Sequence, residues 1–175
     1  MAVHVALLRA INVGGTGKLA MADLRALCEE IGFGDVKTYI QSGNVLFRSD
    51  LPALDAAARL EAALREKLGK APGVMIRDAG QLHSIAQNSP FPDAKGNFLH
   101  VVFLANAAPA NALDALVAPD GEEVHVAGHE IYIHFPNGAG QSKLKLPALR
   151  TGTARNLNTV RKLAELAKAM EDDKG

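Results

Sequence analysis

What most constrains this chain is that its pattern begins twice. Val3 to Leu8 reads VHVALL and Leu99 to Leu104 reads LHVVFL, so that His4 falls over His100 and Leu8 over Leu104. Each run is short, apolar and rich in β-branched residues, as a buried strand is. A helical period at Met21 to Ile31 follows the first run. Two short strands come next, Val36 to Gln41 and Asn44 to Ser49, around Ser42 and Gly43. A helix with Leu60, Leu64 and Leu68 on one stripe and a strand at Val74 to Arg77 complete the order β-α-β-β-α-β of a ferredoxin-like unit.

The second run is followed by a helix-like segment at Pro109 to Val117, then by a hairpin of Glu122 to Ala127 and Glu130 to Phe135 around Gly128 and His129. A short helical segment after Ser142 leads to an amphipathic helix that turns Val160, Leu163, Ala164, Ala167 and Met170 inward. The second half thus reads β-α-β-β-α-α. Matching element order favours duplication. The chain is read as α+β, with two tandem ferredoxin-like halves, antiparallel sheets and a C-terminal helix. Residues 1–88 form the first half, including a connecting helix at Ala79 to Gln87. Residues 97–175 form the second, beyond the Ser89-Pro90-Phe91-Pro92 cluster.

Alternation assigns the faces of both hairpins. Val36, Thr38, Ile40, Val45 and Phe47 share one face of the first, against Lys37, Tyr39, Gln41, Leu46 and Arg48. Val124, Val126, Ile131, Ile133 and Phe135 oppose Glu123, His125, Glu130, Tyr132 and His134 in the second.

With 19 basic and 19 acidic residues the chain has no net charge, so no global field points to nucleic acid or to an acidic partner. The one cysteine, Cys28, lies on an apolar stripe with Leu24, Leu27 and Ile31, which suits core packing rather than redox chemistry. A lone thiol fits a reducing cytoplasm. Val3 to Leu8 is too short to span a membrane, so no membrane association is expected.

Three polar segments stand out. The loop Arg9-Ala10-Ile11-Asn12-Val13-Gly14-Gly15-Thr16-Gly17-Lys18 looks like a phosphate loop, but that motif needs glycine at Asn12 and a hydroxyl residue at Leu19. Nucleotide triphosphate hydrolysis is therefore excluded. What remains is a glycine loop whose N–H groups, at Gly14 and Gly15, and flanking charges, at Arg9 and Lys18, suit an anion. Gln41, Ser42 and Asn44 make a second polar cluster at the first hairpin tip, where turn chemistry alone accounts for Ser42 and Gly43. Arg155, Asn156 and Asn158 form a third before the last helix, either as caps or as a further anion-binding element. A metal held by Glu123, His125 and His134 has no supporting spacing elsewhere, and neither metal nor cofactor is expected.

The segments LLRAINVGG, MADLRAL, GFGDVKTYIQSGNVLF and TARNLNTVRKLAEL resemble, in the same order, the mainly bacterial family catalogued as domain of unknown function 1697. The resemblance implies a two-part α+β fold and brings no chemistry with it. The family pattern usually has glycine where Ala10 stands and tryptophan where Leu157 stands, so this chain lacks one close backbone approach and one stacking surface.

The best reading is binding of a small phosphorylated or carboxylated ligand where Arg9, Asn12, Gly14, Gly15, Lys18, Gln41, Ser42, Asn44, Arg155, Asn156 and Asn158 meet. No residue among them is an obvious general base, so catalysis is not specified. The alternatives are RNA binding across an open sheet face through Lys37, Tyr39, Gln41 and Arg48, or a protein-interaction module using the two hairpin faces. The chain's oligomeric state is not encoded in any of these patterns.

Overall fold

The computed structural model describes residues 1–9, 19–39, 43–70 and 72–173. The chain divides into two compact units, Met1–Leu82 with Leu163–Gly175, and His83–Lys162.

In the first unit β1 (Ala2–Leu8), β2 (Gly34–Tyr39), β3 (Asn44–Ser49) and β4 (Val74–Arg77) form an antiparallel sheet in the order β2-β3-β1-β4. Helices α1 (Met21–Glu30) and α2 (Ala53–Leu68) supply the covering layer. The core joins Ala6 and Leu8 of β1 and Val45 and Phe47 of β3 to Leu24 and Cys28 of α1 and to Leu60 and Leu64 of α2. Each fully buried leucine contributes about 1.5–3 kcal/mol. Phe33 stacks on Phe47 with ring centroids 4.0 Å apart. Burial pushes the Cys28 thiol up to about 12, which leaves it protonated and inert.

The opposite face of this sheet is also buried, at Val3, Val5, Leu7, Leu46 and Met75. Here β2 carries a bulge between Gly34 and Lys37, and Asp35 sits in it at φ 47°. The bulge presents the Asp35 carboxylate to Arg48, whose Nε donates to it at 2.7 Å. The same guanidinium donates to the Met170 and Asp173 carbonyls, at 2.6 Å for Asp173. Those carbonyls belong to the end of α4 (Leu157–Asp172), where the helix has no intrahelical donors left and a cation is favoured.

In the second unit β5 (Leu99–Phe103), β6 (Glu123–Ala127), β7 (Glu130–His134) and β8 (Thr153–Asn156) repeat the order as β6-β7-β5-β8. The registers repeat as well. His4 pairs with Phe47 as His100 pairs with Ile133, and Val5 pairs with Arg77 as Val101 pairs with Arg155. The β6–β7 hairpin turns at Gly128 with φ 64°, a conformation that favours glycine at the first turn position. Helix α3 (Ala79–Gln87) spans the division, and Tyr132 donates its hydroxyl to Ile85 O at 2.7 Å inside the second unit.

The second half departs from its expected β-α-β-β-α-α order in three places. Pro109 to Val117 is not an α-helix. It is a string of turns with i to i+3 bonds, from Ala112 N to Pro109 O, Asp114 N to Asn111 O and Leu116 N to Leu113 O. The alanines and two asparagines around Pro109 present little apolar surface to hold a helix against the sheet, and Leu113 and Val117 stay exposed. The segment after Ser142 holds only the 3₁₀ helix Pro147–Thr151. Thr153–Asn156, read as a prelude to the last helix, is a strand that supplies the missing fourth position.

Candidate functional site

The end of β1 gathers three segments of the first unit. Leu8 N donates to Gly43 O at 3.0 Å, and Arg9 N donates to Gly73 O at 2.8 Å. Gly43, just before β3, and Gly73, just before β4, are thereby fastened to the end of β1. Asn44 is fully buried and closes the base of the hairpin by donating from Nδ2 to Tyr39 O at 3.1 Å. Gly73 lies under the Arg9 side chain: a β-carbon there would stand 3.1 Å from Arg9 Nε and 3.4 Å from Arg9 Cβ. Bare backbone thus lets a half-buried guanidinium lie close at this corner.

Of the residues expected to bind ligand, Arg9 and Asn44 are placed at this end, joined through Gly43. Asn12, Gly14, Gly15, Lys18, Gln41 and Ser42 lie outside the described residues. In sequence, 10–18 runs on from Arg9 and 40–42 runs into Gly43.

Arg155, Asn156 and Asn158 belong to the second unit. Arg155 does not sit at a helix start, as the sequence suggested. It is the third residue of β8, with its guanidinium donating to Thr153 Oγ1 at 2.5 Å and to Ala154 O at 2.9 Å. Burial lowers its pKa to about 10. Asn156 caps α4 by accepting from Thr159 N at 2.9 Å. Asn158 lies over Gly96, where a β-carbon would come within 2.0 Å of its Oδ1, and Leu157 N donates to Gly96 O at 3.1 Å.

Sequence reasoning missed Arg77. It occupies in β4 the register that Arg155 occupies in β8, both are 7% exposed, and Nη1 of Arg77 donates to Ile76 O at 2.9 Å. Aligning the fourth strands would have found the pair, but TARN carries no apolar alternation to mark it as a strand. On the second hairpin Glu123 pairs with His134, with 4.0 Å between Oε1 and Nδ1, while Tyr132, opposite His125, is buried and its hydroxyl is pushed up to about 12 by burial and by Glu130. Among the described residues no group of three or more His, Cys, Asp or Glu side chains is placed to hold a metal. No helix among them is long and apolar enough to cross a membrane.

The family model described as "Protein of unknown function (DUF1697)" matches residues 1–132. The chain belongs to this family. The conserved bacterial protein SP0830 from Streptococcus pneumoniae is similar to this DUF1697 chain, with a TM-score of 0.77 and 23% sequence identity over 96% of this chain and 99% of that one. At that identity the likeness shows the fold. No curated protein matches the chain.

Proposed function

We propose that this DUF1697 protein binds a small phosphorylated or carboxylated molecule at the end of β1, with Arg9 as its charged anchor. The observation that carries the reading is the fastening of Arg9, Gly43 and Gly73 by the two backbone bonds, which sets a guanidinium against bare backbone in a chain of zero net charge. Arginine suits such a ligand because its planar fork matches a carboxylate or phosphate. Asn12, Gly14, Gly15, Lys18, Gln41 and Ser42, which follow Arg9 or precede Gly43 in sequence, are proposed to complete the site, with Asn44 bonded across to Tyr39 O. Arg155, Asn156 and Asn158 are assigned to the second unit's own framework instead. The reading is binding without chemistry, in the cytoplasm, where a single buried thiol is at home.

RNA binding across an open face is less well supported, since Leu46 is 1% exposed and Arg48 is engaged with Asp35 and the end of α4. The test is a thermal-stability panel of phosphate, nucleotides and small carboxylates on wild type and Arg9→Gln. A ligand at 100 times its Kd stabilises by about 2.7 kcal/mol. One class should raise the wild-type Tm and leave Arg9→Gln unmoved. Equal shifts in both proteins, or none, would overturn the reading, and salt-dependent binding of RNA alone would favour the alternative.

A further inference from the structure

The two units cover their sheets differently. In the first, α1 and α2 pack on the core face. In the second, the same two connections have shrunk to the turns around Pro109 and to the 3₁₀ helix Pro147–Thr151, and a cleft of about 580 Å³ lies between them, at the end of β5. Leu104 and Ala112, both buried, line it with Pro109 and Ala148. Its polar lining is Asn106, Asn111 and Thr151, and its one charged side chain is Asp114. The volume is within the range of small-molecule sites, roughly 300–1,000 Å³, and the small side chains keep it open.

We propose that this cleft is a second binding site, separate from the one at Arg9, for a small and mainly apolar molecule bearing a neutral or cationic hydrogen-bonding group. Charge chooses the ligand class. The lining has a carboxylate and no basic side chain, so an anion is repelled by Asp114 with no charge to offset it, while an amine or amide finds acceptors on Asp114, Asn106 and Asn111. An aromatic or short aliphatic body replaces water against alanine, proline and leucine.

Benzylamine, benzamide and benzoate present one ring with a positive, a neutral and a negative head. Titrated into the ¹⁵N-labelled chain, benzylamine and benzamide should shift the amides of Leu104, Asn106, Asn111 and Thr151, with benzoate weakest. Asp114→Asn, at an exposed position, should remove a roughly threefold preference for benzylamine over benzamide. Ala148→Phe should fill the cleft and abolish all three titrations. Arg9→Gln should leave them intact, which separates this site from the anion site. No shifts at these amides in wild type, benzoate binding best, or an Asp114→Asn protein with the wild-type preference would each overturn the proposal. The last two outcomes do not depend on the folding of Ala148→Phe.

Discussion

Replacing Gly152 by valine tests the duplication at the level of atoms. By register Gly152 stands where Val74 stands in the first unit, and Val102 stands where Ala6 does, so the bulk has changed sides between the two sheets. A β-carbon on Gly152 would lie 2.6 Å from Val102 Cγ1, 2.9 Å from Leu104 Cδ2 and 3.0 Å from Phe103 O. At φ −107° the backbone itself accepts valine, so the penalty is steric. Overpacking a filled core costs about 1–3 kcal/mol. Val102→Ala, at a side chain 3% exposed, removes two buried methyl groups and costs about 2 kcal/mol. Together the two substitutions recreate the first unit's arrangement, and the double variant should recover about 1–3 kcal/mol relative to the sum of the singles. The assay is urea denaturation of all four proteins followed by circular dichroism. Additive losses in the double variant would refute the exchange of bulk, and a stabilised Gly152→Val would refute the clash.

Two further outcomes follow from single side chains. Arg48→Met removes donors from Asp35 and from the Met170 and Asp173 carbonyls, so the last turn of α4 should fray: its amides should exchange faster, with a loss of about 1–3 kcal/mol, and unchanged exchange would contradict the capping role. His100 is held below the ordinary histidine range by burial, against a smaller opposing effect from the Asn97 backbone. The unfolded chain therefore takes up a proton first as pH falls. The stability this histidine allows is fully present above about pH 6.5 and is lost below it, through the window down to its lowered folded value. His100→Leu should flatten the stability curve in that window, and an unchanged slope would count against the assignment.

Most of the fold was legible because it rests on apolar alternation and on a repeat that keeps its register. VHVALL and LHVVFL align in the structure as they do in the sequence, and Val36, Val45 and Phe47 of the first hairpin and Val124, Val126, Ile131, Ile133 and Phe135 of the second join their cores, Ile40 lying outside the described residues. The fourth strand of the second unit was hidden because its buried residues, Thr153 and Arg155, are polar. Its first covering helix was overread, since a run of alanines has helical propensity but little surface to bury. For the candidate site, Arg9 and Asn44 were visible as polar residues where strands end. Gly73 was not, because its part is to lie under another residue's side chain. Arg155, two residues before the last helix in sequence, lies inside a strand that has no apolar alternation to mark it.

Isothermal titration of the anion that most raises the wild-type Tm tests the central claim directly, using wild type, Arg9→Gln, Gly73→Ala and Arg155→Gln. Arg9→Gln removes the charge, while a methyl at Gly73 crowds Arg9 Nε from 3.1 Å against side-chain atoms that can move, so folding should survive both. The account predicts a loss of at least about tenfold in affinity for Arg9→Gln, a smaller loss for Gly73→Ala, and wild-type affinity for Arg155→Gln. Unaltered binding by Arg9→Gln, or loss of binding only in Arg155→Gln, would contradict a site at the end of the first strand.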